Sequence, residues 1–175
     1  KELRFFHWEL EFPAVFNSSS SGFDCILTNP PWETVQLKES EFFSGLVPAI
    51  EGAPTQSARR KEILRLKKSN PSLHNRYAEE WRSLKRIENF YRNSEIYQLS
   101  ARGTINIYAL FVERCWGLVA KDGLLGMVVP SGVATNYHMQ ALFREMIVQK
   151  SLISFYDFEN RKKLFDIASV NRFSL

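Results

Sequence analysis

The stretch FDCILTNPPW, from Phe23 to Trp32, is the strongest indication of the fold. Its first six residues are apolar or β-compatible and lie between Gly22 and Pro30, a pattern that predicts a buried central strand. Neither proline can donate a hydrogen bond to a sheet ladder, so the strand ends there. In open α/β sheets, ligands bind beyond the carboxyl ends of the strands, and we therefore expect a site at this turn.

The rest of the chain alternates between helix-like and strand-like segments. Apolar residues spaced by three and four predict helices over residues 57–69, 73–91, 105–120 and 137–149. Gly123 is the natural stop of the third of these helices. Short apolar runs predict strands over residues 124–129 and 151–158, and the final VNRFSL predicts the start of another. This alternation favours an α/β fold with an open sheet and crossover helices.

The composition is that of a globular protein. The 175 residues, 45% of them hydrophobic, are enough for one domain or for part of a larger one. No apolar run approaches the roughly 20 residues of a membrane span, and the start does not resemble a signal peptide. Cys25 and Cys115 lie in apolar stretches, which predicts buried thiols in a reducing cytoplasm rather than a disulfide framework or a metal cluster.

Positive charge is concentrated in one part of the chain. Residues 57–98 hold eleven Lys and Arg against five acids, a local charge of +6 within a net charge of +4. A polyanionic partner, of which double-stranded DNA is one, would explain this concentration through phosphate neutralisation, and a solvated helical surface would explain it too. The candidates for phosphate contact are Arg59, Arg60, Lys67 and Lys68.

The turn Asn29-Pro30-Pro31-Trp32 carries the chemical signal. The lone pair of an amino group on adenine is delocalised into the ring, so its nitrogen is a poor nucleophile. The side-chain oxygen of Asn29 and the carbonyl of Pro30 could accept its two N–H groups and favour the charge that develops as it attacks a methyl sulfonium. Pro31 stiffens the turn, and Trp32 offers a flat face to a base removed from its stack.

The sequence resembles the amino-methyltransferases of restriction–modification and related phage-defence systems, particularly the large type IIG-like enzymes. The resemblance rests on FHWELEFPAVF, GFDCILTNPPWE, NIYALFVERCWGLVAKDGLLGMVVPSGVAT and YDFENRKKLFDIASVNRF, which occur in the order that the family shows. It covers most of the chain and is weakest across a basic helical insertion at residues 52–99. It implies a partial Rossmann-like methyltransferase sheet in which residues 1–175 form the substrate-side, C-terminal part of the catalytic domain.

The same resemblance implies methylation of the N6 amino group of a flipped adenine in DNA, with S-adenosylmethionine as the donor. Asn29, Pro30 and Trp32 would form the catalytic motif, with Asn29 also contacting the cofactor. Phe165, in KKLF, would pack on the other face of the base.

One departure from the family concerns the cofactor. No two glycines are spaced as G-x-G, only 28 residues precede Asn29, and the first residue is Lys1 rather than Met. We therefore expect a fragment whose missing upstream part, in the same parent chain, supplies the first strands and most of the cofactor pocket. The 175 residues alone are predicted neither to bind the cofactor tightly nor to methylate DNA.

Two other functions remain open from the sequence. Methyltransferases that act on protein glutamine or on RNA guanine use a similar NPP turn after the same strand. A remnant that only binds nucleic acid or a partner protein would also fit the basic stretch.

Overall fold

The computed structural model describes residues 6–17, 21–166 and 171–175. These residues form two compact units. The first contains the described residues up to Glu33 and from Glu95 onward, and the second spans Thr34–Ser94. No helix within the described residues is both long enough and apolar enough to cross a membrane.

The first unit is a mixed α/β structure with a small parallel sheet. Its helices are α1 (Trp8–Glu11), α2 (Pro13–Phe16), α7 (Ile107–Leu118), α8 (Gly132–Thr135) and α9 (Gln140–Val148), and its 3-10 turns are Glu95–Tyr97, Tyr137–Met139 and Asn160–Lys162. Its strands are β1 (Phe23–Thr28), β2 (Val119–Met127), β3 (Val129–Pro130), β4 (Asp157–Glu159) and β5 (Arg172–Ser174).

β1 and β2 form the parallel pair, with Cys25 opposite Leu124 and Thr28 opposite Met127. A parallel pair needs a crossover connection, and α7 supplies its last part, leading directly into β2. The strand predicted after Gly22 is therefore confirmed, and it ends at Thr28, directly before the predicted turn.

The predicted helix stop at Gly123 is wrong. α7 ends at Leu118, and Val119 is already extended and paired with Phe23. Pairing with β1 therefore replaces the last turn of the predicted helix. The register shifts between Phe23 and Cys25, and a Cβ on Gly123 would lie 2.7 Å from the carbonyl oxygen of Phe23. Gly123 thus permits a close approach between strands.

The prediction that β1 is buried is also wrong. Cys25 is exposed and Leu27 is 80% exposed. Among the described residues β1 pairs only with β2, so its other edge has no neighbouring strand. Cys115 on α7 is half-buried, and burial raises the pKa of its thiol.

The remaining strands form an antiparallel sheet in the order β3-β5-β4. The strand predicted over residues 151–158 is confirmed only in its last part, because β4 begins at Asp157. Tyr156 and Leu175 exchange two backbone hydrogen bonds of 2.8 and 2.9 Å, which extend the pairing by one residue. The strand predicted at the C-terminus is confirmed as β5.

The core of this unit lies between the strands and the helices α7, α8 and α9. It consists of buried side chains from these elements and the 3-10 turn before α9: Tyr108, Ala109, Val112, Met127, Val129, Val133, Met139 and Leu142. Trp32 packs against this core, so the burial of its apolar surface helps to hold the turn after β1 in position.

The second unit is helical: α3 (Glu39–Phe42), α4 (Pro48–Glu51), α5 (Gln56–Ser69) and α6 (Pro71–Asn93). The two long helices confirm the predictions over residues 57–69 and 73–91. The side chains of Thr55 and Asn70 cap them by accepting backbone N–H groups at 3.1 Å. The insertion was predicted over residues 52–99, whereas the compact unit spans Thr34–Ser94.

Candidate functional site

The turn Asn29–Trp32 follows β1 without an intervening residue. Asn29 and Pro31 are exposed, Pro30 is buried and Trp32 is half-buried. Burial of Pro30 and partial burial of Trp32 thus hold the turn in place, while Asn29 faces solvent. This places a hydrogen-bonding side chain at the carboxyl edge of the parallel strands, where α/β proteins bind ligands.

The indole N–H of Trp32 orients the turn. Trp32 Nε1 lies 3.1 Å from Asn29 Oδ1 and 3.3 Å from the backbone oxygen of Val128, the residue between β2 and β3. One donor therefore ties the Asn29 side chain to the end of the neighbouring strand. A carboxamide oxygen has two lone pairs, so Asn29 Oδ1 can accept a second hydrogen bond. The sequence predicted only a stacking role for Trp32.

The structure brings Trp32 and Phe165 together. Their ring centroids are 5.2 Å apart and their planes are inclined by 51°. Phe173 completes the cluster, with its ring 4.9 Å from Phe165 and 6.4 Å from Trp32. A base stacked between two rings requires a separation of roughly 7 Å, twice the van der Waals distance of about 3.5 Å. The space between Trp32 and Phe165 is therefore closed in this structure.

A buried asparagine holds Phe165 in place. Asn160 is fully buried, and its side-chain amide donates to the Phe165 carbonyl at 2.9 Å and accepts from the Phe165 N–H at 3.2 Å. Lys163 between them adopts the left-handed conformation, with φ 50°. The only local signal for this clamp is the asparagine itself, a residue type that favours turns.

A polar network joins the strands next to this cluster. Asp157 on β4 accepts hydrogen bonds from the hydroxyl of Ser131, from the hydroxyl of Ser174 at 3.2 Å and from Arg172 Nε at 2.8 Å. These contacts, that of Ser131 first, lower the pKa of Asp157. Because Ser174 is fully buried and Ser131 nearly so, the network fixes the three-stranded sheet that carries Phe173.

The four basic candidates lie on the second unit, and they differ in their surroundings. Arg59 Nε donates to the carbonyl of Ile50 at 3.3 Å, and its guanidinium also reaches the carbonyl of Ala53 at 3.5 Å. Arg59 therefore stabilises the chain between α4 and α5. The other three are exposed on α5: Arg60, Lys67 and Lys68.

The described residues around β1 do not form a cradle that would fit S-adenosylmethionine. β1 has no described strand on its outer side, and the chain has no G-x-G turn to enclose a cofactor there. Within the described residues, no group of three or more His, Cys, Asp or Glu could hold a metal ion.

The family model described as Eco57I restriction-modification methylase matches residues 77–165, just over half of the chain. The match includes α7, β2, α9 and the Asn160–Phe165 clamp, and it begins after the Asn29–Trp32 turn. No curated protein and no solved structure matches the chain. A parallel strand pair joined through a crossover helix accords with a methylase domain. The chain therefore belongs to the Eco57I restriction-modification methylase family.

Proposed function

We propose that this chain carries the acceptor site of a DNA methyltransferase that modifies the N6 amino group of adenine, with S-adenosylmethionine as the donor. The observation that carries the proposal is the turn after β1, where an exposed Asn29 is oriented by Trp32 and lies beside an aromatic cluster. Membership of a restriction-modification methylase family supports methyl transfer as the reaction class.

In this proposal the turn holds the amino group of the target base. Asn29 Oδ1 uses its free lone pair to accept one N–H, and the carbonyl of Pro30 accepts the other. Both acceptors stabilise positive charge on the nitrogen as the methyl group is transferred, since they are fixed before the reaction begins. The donor would supply the electrophilic methyl group. Asn29 and Pro30 would position the amino group and stabilise the positive charge that forms on its nitrogen before one N–H proton is lost to solvent.

Trp32 and Phe165 would receive the base by separating. Flipping costs a few kcal/mol, and stacking on an aromatic ring returns about 1–3 kcal/mol per base. The two rings move apart from 5.2 Å when the base enters. The Phe165 ring moves by side-chain rotation, because Asn160 holds only the backbone of Phe165, whereas the indole of Trp32 is held by two hydrogen-bond acceptors. The closed cluster shields apolar surface until DNA binds.

The test is transfer of a labelled methyl group from S-adenosylmethionine to duplex DNA by the intact protein, with digestion to identify the labelled nucleoside. We expect label on N6-methyladenine and a loss on the order of 100-fold or more in Asn29→Ala, since one oriented charge-stabilising group is removed. Asn75→Ala, at an exposed position of α6, is the matched control and should retain full activity.

Three outcomes would contradict the proposal. Label on protein glutamine or RNA guanine would assign the same turn to another acceptor. Salt-dependent DNA binding without any methyl transfer would assign a binding role. Equal activity of Asn29→Ala and the wild type would remove the turn from the site.

A further inference from the structure

A cleft of about 340 Å³ opens in the first unit, separate from the aromatic cluster. It is lined by Arg102, Tyr137, His138, Gln140, Ala141 and Arg144. Its walls are the loop before α7, the 3-10 turn before α9 and the first residues of α9. Two arginines, a histidine, a phenol and a carboxamide thus face one concave surface, and all can donate hydrogen bonds.

The cleft has an unbalanced charge. No Asp or Glu lines it, so the guanidinium groups of Arg102 and Arg144 meet no carboxylate there. Across the described parts of the chain neither arginine forms an ion pair, and Arg102 uses only Nε, which donates to the carbonyl of Gln98 at 3.1 Å. Two guanidinium groups without acidic partners favour an anion, and their planar forks match phosphate oxygens.

The backbone around the cleft is fixed before any ligand binds. Gly103 has φ +55°, and a Cβ at this position would lie 2.3 Å from the ring of His138. The loop that carries Arg102 can therefore pack on His138 only because residue 103 is glycine. The N–H of His138 is in turn bonded to Asn136 Oδ1 at 2.9 Å.

The connections that carry the cleft residues start beyond the carboxyl ends of β1 and β2, where the Asn29 turn lies. α7 leads into β2, which is parallel to β1, so α7 begins at the carboxyl edge. Its first N–H, of Ile107, donates to the carbonyl of Glu33 at 2.8 Å, directly after Trp32. β3 follows β2 after the single residue Val128, so the segment that leads from β3 through the 3-10 turn into α9 also starts beyond the carboxyl end of β2.

We propose that this cleft binds a backbone phosphate of the DNA whose base enters the Asn29 turn, with Arg102 and Arg144 as its main donors. The inference rests on the proposed function, since it requires DNA at the carboxyl edge. It adds a phosphate-positioning site on the first unit, independent of the basic helices of the second. Contacts to phosphate fix the register of a protein on a duplex.

The experiment measures the affinity of the intact protein for duplex DNA at several salt concentrations. The variants are Arg102→Gln, Arg144→Gln and the double variant, with Lys121→Gln as the charge-matched control at an exposed position of β2. Each phosphate that the protein no longer neutralises should reduce the slope of log K against log salt by about 0.9. We expect the double variant to leave one phosphate unneutralised and to bind DNA about three- to tenfold more weakly, and Lys121→Gln to match the wild type. A titration with inorganic phosphate accompanies these measurements.

The outcomes separate this inference from the proposed function. An unchanged slope in the double variant, with methyl transfer by the wild type intact, overturns the inference alone. An equal change in Lys121→Gln also overturns it, since net charge would then explain the effect. Submillimolar binding of inorganic phosphate that needs both arginines, without any change in the DNA slope, assigns the cleft to a free anion and overturns the assignment to DNA. Absence of DNA binding by the wild type overturns both proposals.

Discussion

The indole nitrogen of Trp32 is the feature that most changes the interpretation of the NPPW turn. A phenylalanine or tyrosine at this position would offer a face for stacking but no N–H to bridge Asn29 and Val128. Trp32 therefore combines two properties, an apolar body packed on the core and a donor that aims the Asn29 carboxamide. Such a division between an apolar ring and a polar edge is usual for half-buried tryptophan.

Two substitutions of Trp32 would separate these properties in the methyl-transfer assay. Trp32→Phe keeps a ring and removes the N–H, and we expect kcat to fall about tenfold, the effect of removing one hydrogen bond of about 1–1.5 kcal/mol. Trp32→Ala removes the ring as well and should reduce kcat on the order of 100-fold or more, because about 1–3 kcal/mol of stacking also disappears. Equal rates for Trp32→Phe and the wild type would show that the bond to Asn29 is incidental.

At the scale of the element, the boundary between α7 and β2 shows how pairing overrides a local helix signal. The stretch INIYALFVERCWGLVA has helical spacing throughout, yet its last two residues are already in β2. As part of β2, Val119 pairs with β1. A further turn of α7 would leave the backbone of β1 without these hydrogen bonds. Gly123 then serves the register shift rather than the helix end.

Glycine-to-alanine substitutions test this assignment through urea-induced unfolding. In Gly123→Ala the new Cβ would lie 2.7 and 3.0 Å from the carbonyl oxygens of Phe23 and Asp24. These are backbone atoms, so relieving the clash requires a shift of β1 that costs free energy. We expect the free energy of unfolding to fall by about 1–3 kcal/mol. Gly117→Ala in α7 is the control, because nothing lies within 4 Å of its Cβ and helix propensity should raise stability by about 0.5–1 kcal/mol. An unchanged free energy of unfolding in Gly123→Ala would show that the approach of β2 to β1 does not require glycine at this position.

At the scale of the whole molecule, positive charge occurs on both units in different forms. In the second unit the basic residues lie on the exposed faces of α5 and α6. They are close together in the chain, so the composition of this segment alone reveals them. The first unit carries positive charge in the cleft formed by Arg102 and Arg144, which are far apart in the chain. We infer that DNA affinity draws on both, since phosphate contacts contribute independently of sequence.

Lys67 and Lys68 are predicted to act differently from Arg59. Replacing both lysines by glutamine should reduce the salt slope of DNA binding by about 0.9 for each phosphate that they neutralise, without a change in Tm. Arg59→Gln should lower the free energy of unfolding by about 1–2 kcal/mol, because the carbonyls of Ile50 and Ala53 would have no guanidinium donor. Thermal denaturation and DNA titration of the same variants measure both effects. If the double lysine variant has the same salt slope of DNA binding as the wild type, Lys67 and Lys68 belong to a solvated surface and do not contact DNA.

Local sequence was sufficient to establish the α/β class, the strand Phe23–Thr28, the two long helices of the second unit and the turn at Asn29. These features follow from apolar spacing, proline and capping residues, which act within a few positions of the chain. The exposure of Cys25 and the α7–β2 boundary were mispredicted because burial and pairing depend on which elements become neighbours.

Which distant residues share a site depended on the folded arrangement alone. The bond from Trp32 to Val128, the clamp of Asn160 on Phe165 and the cleft between Arg102 and Arg144 join residues through packing. The sequence around an asparagine does not show which backbone groups its side chain will bond. The physical reason is that such contacts form where strands and helices pack against each other. The number of residues that separates two contacting side chains in the sequence depends on the elements between them and does not indicate the contact.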